Sequence, residues 1–178
     1  MGKNTKLITT SAILIAMYVA LSYVAIDLKV MKFSFAGLPV IVGGFLFGPI
    51  PGLMIGAVGA TLEQLIRYGI TATTVLWIVP VAARGLIVGW YAKKKDFKMT
   101  TFEMGFIMIL SALVVTVLNT VGIYIDSHIY HYYNFATVFG AIGMRVVTAI
   151  VTCLVYLSIM PYLLKGLRQA GIRTEEVI

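Results

Sequence analysis

The sequence predicts an all-α membrane protein, a compact bundle of six transmembrane helices with both termini in the cytoplasm. Three observations predict it. Hydrophobic residues make up 60% of the 178 residues and charged residues 12%, whereas about a quarter of a soluble domain is charged. The apolar residues fall into long runs separated by short polar or Gly- and Pro-rich breaks, and at roughly 20 residues per crossing the chain holds about six spans with no remainder for a soluble domain. Lys and Arg are also unevenly shared between the two sets of connecting loops. Residues 1–178 are therefore expected to form a single integral membrane domain, with spans at about 7–26, 37–48, 52–68, 74–92, 102–125 and 136–164.

The first run follows Lys3 and Lys6 directly. It is too long for a signal-peptide core and lacks a clear small-residue cleavage site, so it is expected to be a retained span. Within it Ala12, Ala16 and Ala20 recur every four residues, a small-residue stripe on one helix face. Such a stripe lets another helix approach closely, either from this bundle or from another membrane protein. Residues 27–35 read as a short amphipathic loop.

The second and third spans flank Gly48-Pro49-Ile50-Pro51-Gly52. Two prolines remove backbone donors and fix φ, so no helix continues through the break and the two runs form a tight hairpin. Gly43, Gly44, Gly52, Gly56 and Gly59 leave little side chain between backbones, which allows the close packing that membrane helices rely on. The run at 37–48 is short for a crossing. Near the end of the third span, Glu63 and Arg67 are four residues apart and can pair on one face.

A small polar connection at 69–74 leads to the fourth span, where Pro80 is expected to bend the helix and free a carbonyl. Lys93, Lys94, Lys95 and Lys98 precede the fifth span. The most aromatic loop, 126–135, contains His128, Tyr130, His131, Tyr132 and Tyr133 and precedes the sixth span. Lys3, Lys6, Lys93, Lys94, Lys95, Lys98, Lys165, Arg168 and Arg173 all fall on one side; only Lys29, Lys32 and Arg67 fall on the other. That asymmetry places both termini inside.

The net charge of +7 is read as an orientation signal and an attraction to anionic lipid, and nucleic acid is excluded as a partner. The one cysteine, Cys153, lies in an apolar run, which excludes an intrachain disulfide or a Cys-rich metal cluster. His128 and His131 have too few companion ligands on their loop to make a metal site. No acid/base pair or nucleophile constellation is apparent, so no enzyme, cofactor or metal is expected. Arg84 and Arg145 each sit well inside an apolar run. An intramembrane Arg costs at least about 3 kcal/mol, so each should face a cavity or a partner. Three roles are open to them: salt bridges to Glu63, Glu103 or Asp126, contacts to an anionic ligand, or part of an ion pathway. Trp77 is either an interfacial anchor or a stacking surface for a planar ligand.

Several stretches together resemble the substrate-binding (S) components of energy-coupling factor (ECF) vitamin transporters, in particular the folate-type subfamily. They are the Ala12/Ala16/Ala20 stripe, Lys32-Phe33-Ser34-Phe35-Ala36-Gly37-Leu38-Pro39 leading to Leu46-Phe47-Gly48-Pro49, residues 83–89 around Arg84, Asn119-Thr120, and Arg145 in the first half of the last span. Residues 60–64 and the fifth-to-sixth connection depart from the folate-type pattern.

The resemblance implies a vitamin-capture subunit of the bacterial plasma membrane, with a pocket near the outer surface closed by the outer loops. Its ligand would be folate or a related pterin, or, on the same scaffold, pantothenate, thiamine, riboflavin or a queuosine-like base. Arg84 and Arg145 would neutralise carboxylates. Trp77, Phe33, Phe35 and Tyr130 would stack on or cover a ring, and Glu63, Gln64, Asn119 and Thr120 would hydrogen-bond its polar edge. The alanine face would dock onto a membrane coupling protein driven by two cytoplasmic ATPases. Outside this family, a stand-alone small-solute transporter or channel is the alternative.

Overall fold

The computed structural model describes residues 3–27, 32–170 and 172. Lys29 and Arg173, used above in the charge pattern, lie outside them. Among the described residues there are six α-helices and one two-stranded sheet: α1 (Lys3–Tyr23), β1 (Ala25–Asp27), β2 (Lys32–Ser34), α2 (Gly37–Phe47), α3 (Pro49–Tyr68), α4 (Thr74–Lys94), α5 (Thr101–Ile129) and α6 (Ile142–Gln169). Five of the helices are long and apolar enough to cross a membrane; α2 is not. Its 11 residues rise only about 16 Å, roughly half of a hydrocarbon core. The protein instead uses α2 as a central plug, with Val40, Ile41, Val42, Phe45 and Leu46 all at most 1% exposed.

The expected break between the second and third runs is a single residue. Gly48 has φ +89°, a left-handed conformation that glycine adopts without a Cβ clash. α3 starts at Pro49 rather than Gly52, because both prolines fall in the first helical turn, where no intrahelical donor is required of them. α3 and α4 then meet backbone to backbone. A β-carbon on Gly52 would stand 2.6 Å from the carbonyl oxygen of Gly85, and one on Gly56 would stand 2.6 Å from that of Val81. α4 continues through Pro80, which is buried inside it.

Other boundaries move for local reasons. The chain at 25–27 is extended rather than helical and pairs antiparallel with 32–34, Ile26 opposite Phe33, so two short strands stand at the ends of the expected loop. The last run opens with a π-helical turn, Ala136–Gly140, before α6 begins. α5 extends to Ile129, and the aromatic loop packs on its end. His128 stacks between Tyr124 and Tyr133, at 4.4 Å from each ring centroid, and the Tyr132 hydroxyl donates to Asp126 Oδ2.

At the opposite end, five helices meet at one turn, which joins the end of α4 to the start of α5. Asp96 and Phe97 both have positive φ, and the Phe97 ring is buried beside Gly48 at the α2–α3 junction. Arg168 Nη2, from the end of α6, donates to Phe97 O at 3.0 Å. α5 begins there with a reciprocal cap between Thr100 and Glu103, and Lys95 Nζ lies 2.6 Å from Glu103 Oε1.

Candidate ligand-binding cavity

α5 and α6 each carry a stripe of small and polar residues at helical spacing. On α5 it is Ala112, Val115, Thr116 and Asn119; on α6 it is Arg145, Thr148, Ala149, Thr152, Cys153 and Tyr156. Spacings of three and four residues put each set on one face. The two faces bound a cavity of about 460 Å³, which is also lined by Tyr18 of α1, Val81 and Arg84 of α4, and the chain from Ser34 to Gly37 entering α2. A volume in the range of roughly 300–1,000 Å³ is typical of small-molecule sites. Alanines 36, 112 and 149 and Gly37 provide the room.

Both intramembrane arginines line this cavity. Arg84 is half-buried, and its Nε has no hydrogen-bond partner among the described residues. Its Nη1 lies against Gly37. Arg145 Nη1 donates to Thr120 Oγ1 at 3.4 Å and to Val138 O, in the π-helical turn, at 3.3 Å. No Asp or Glu is among the described residues of the lining. Glu63 touches the wall only through Tyr18, whose hydroxyl donates to Glu63 Oε2 at 2.8 Å, and it pairs with Arg67 at 3.4 Å as its spacing suggested. Glu103 binds Lys95 and the α5 cap, and Asp126 accepts from Tyr132. The three acids considered as partners for the buried arginines are therefore engaged elsewhere. Two guanidiniums in a partly desolvated lining, with no Asp or Glu among its described residues, are donors whose charged hydrogen bonds are stronger than in water.

Of the residues singled out in the sequence, the cavity wall gathers Arg84, Arg145 and Asn119. Thr120 stands behind it as an acceptor for Arg145. Phe35 is stacked beside the wall, its ring centroid 6.3 Å from that of Tyr156. Trp77 and Gln64 are half-buried outside the described lining, and Tyr130 is exposed at the end of α5. Phe33 is on β2; its side chain lies outside the described part of the structure. Ala12, Ala16 and Ala20 are exposed on α1, while Leu14 and Tyr18 of the same helix face inward.

Sequence reasoning missed Tyr18, Thr116, Thr148, Thr152 and Tyr156. The polar stripes on α5 and α6 were a readable signal: threonines recurring at helical spacing with Arg145 and Asn119 inside otherwise apolar runs.

Five helices long and apolar enough to cross a membrane, around a largely apolar cavity lined by two arginines, define the class of this chain as a multi-span membrane protein. The sequence model of the family described as ECF-type riboflavin transporter, S component, matches residues 2–168, and the chain belongs to that family. The solved structure of the S component of a bacterial ECF transporter superposes with a TM-score of 0.72 at 19% identity, covering 92% of this chain and 98% of that one; this likeness establishes the shared fold. Two UPF0397 proteins of Streptococcus thermophilus, from strains LMD-9 and CNRZ 1066, are each 34% identical over 59 residues, 33% of this chain and 32% of theirs. The chain thus matches about a third of the length of these relatives. As a member of an S-component family it is a multi-pass plasma-membrane protein. The matched family is described by riboflavin, not by the folate that the sequence resemblance suggested.

Proposed function

We propose that this chain captures a vitamin from outside the cell in the cavity between α5, α6 and α4, and delivers it inward with an ATPase-driven coupling module. The observation that carries this reading is the cavity itself: about 460 Å³, reached by both intramembrane arginines, in a chain of the S-component family. The excess of Lys and Arg at the end bearing the N-terminus and Lys93–Lys95 supports an orientation with both termini in the cytoplasm. The cavity then lies toward the outer surface. The exposed alanine face of α1 is the proposed docking surface for the membrane coupling protein, which two cytoplasmic ATPases would drive.

Riboflavin is the first candidate ligand, on the strength of the family match. A second reading, folate or a related pterin, is favoured by Arg84 and Arg145, because paired guanidiniums suit a carboxylate better than a neutral flavin.

The test is ligand binding to the purified chain in detergent, followed by fluorescence of Trp77 and Trp90 and by calorimetry, with riboflavin, folate, thiamine and pantothenate. Tight riboflavin binding supports the first reading. Tight folate binding that weakens in Arg84→Ala or Arg145→Ala supports the second. Binding of none of these, together with solute flux through vesicles containing this chain alone, would overturn both in favour of a stand-alone transporter.

A further inference from the structure

The contact between α1 and α3 is built on matched four-residue spacings. On α3, Gly59, Glu63 and Arg67 recur every four residues, and on α1 Tyr18 and Ser22 do the same, so each set occupies one helix face. The Tyr18 ring lies over Gly59, where a β-carbon would stand 2.8 Å from Tyr18 Cδ1. Its hydroxyl donates to Glu63 Oε2 at 2.8 Å. One turn further on, Arg67 Nη2 donates to the carbonyl of Ser22, and the guanidinium carbon lies 4.4 Å from the centroid of the Tyr23 ring. Arg67 and Glu63 pair at 3.4 Å. α3 thus offers α1 a socket: a gap for the ring, an acceptor for the hydroxyl, and a cation for the last turn of α1, whose carbonyls lack partners within the helix.

Tyr18 is also cavity wall. It is 5% exposed and is the one residue of α1 among the described lining, whereas Gly59, Glu63 and Arg67 are outside that lining. A buried phenol without an acceptor is unfavourable, so the ring goes where its acceptor holds it. We infer that Gly59, Glu63 and Arg67 are positioning residues for ligand capture: from outside the cavity they seat Tyr18, and with it the α1 wall that a ligand meets. Glu63 has the central part, because it joins Tyr18 to Arg67 and so to the end of α1. The inference rests on the vitamin-capture reading and adds to it residues that set affinity through Tyr18 rather than by touching the ligand.

Titration of the purified chain in detergent with riboflavin and with folate tests it, alongside the thermal midpoint of each ligand-free variant. Tyr18→Phe keeps the ring and removes the hydroxyl; Glu63→Gln keeps the size of the side chain and removes its charge. Each should weaken the bound vitamin by roughly three- to tenfold, the scale of one hydrogen bond. The double variant should stay within about twofold of the weaker single one, because Glu63 acts through Tyr18 and the two losses do not add. Gly59→Ala, whose methyl group displaces the ring, should weaken binding by at least as much as Tyr18→Phe.

Wild-type affinity in Glu63→Gln, whatever its midpoint, would overturn the inference and leave the socket a matter of stability alone. If Glu63→Gln does not fold, Gly59→Ala reads the same link, and wild-type affinity there would overturn it equally. Losses that multiply in the double variant would also overturn it, since Glu63 would then act by a route other than Tyr18. Failure of the wild type to bind either vitamin would overturn the capture reading itself, and this inference with it.

Discussion

Gly37 holds Arg84 in place by having no side chain: a β-carbon at residue 37 would collide with Arg84 Nη1. The first turn of α2 is thus the seat of the guanidinium that enters the cavity from α4. Gly37→Ala should displace that group and weaken ligand binding about tenfold, or ~1.4 kcal/mol. Fluorescence titration of the purified variant checks this, and unchanged affinity would show that Arg84 is dispensable for binding. Arg84→Ala should cost an anionic ligand about 1.5–3 kcal/mol, the range for hydrogen bonds to charged groups. A neutral flavin should lose less, so the same variant separates the two ligand readings.

The contact between Gly52 and Gly85 leaves no space for a methyl group. Gly52→Ala or Gly85→Ala should separate α3 from α4 and destabilise the bundle by about 1–3 kcal/mol, as overpacking does. A lowered thermal midpoint in detergent would register it. Gly143 has open space where a β-carbon would go, so Gly143→Ala should leave the midpoint nearly unchanged.

Ala16 lies at the centre of an exposed face, away from the cavity. Ala16→Trp should abolish uptake in cells carrying the coupling module while leaving ligand affinity of the purified chain intact. Loss of both would make the stripe a folding feature.

The Tyr132 hydroxyl donates to the Asp126 carboxylate, and that bond pushes the phenol up from 10.0 to about 12. A raised folded value means that the contact stabilises the loop below pH 10 and that the stabilisation is lost as pH rises toward 12. Ultraviolet titration of phenolate should show a high-pH component that Tyr132→Phe removes. If the component persists in that variant, the bond does not hold Tyr132 in solution.

Much of the architecture could be read from local chemistry. Glycine and proline at 48–52 announced the break between α2 and α3, and the spacing of Glu63 and Arg67 announced their pair. Arg84 and Arg145 stood out because charge is rare inside apolar runs, and both reach the cavity. The threonines did not stand out, because a threonine in a membrane helix satisfies itself on the preceding turn and leaves no trace in composition. Its signal is the helical spacing that puts it on one face with Arg145 or Asn119. Aromatic residues misled for the opposite reason: Trp77 and Tyr130 suit both a membrane interface and a planar ligand, and only packing distinguishes the two.

The turn at Phe97 ties one end of the bundle together. It gathers the α2–α3 junction, the start of α5 and the end of α6 at one point. The cavity lies toward the far ends of the same helices, between Gly37, Asn119 and Arg145. The cavity-side ends of α5 and α6 are held instead by side chains, Arg145 to Thr120 and Tyr156 to Ser34 O, so the two ends of the bundle are tied by different chemistry.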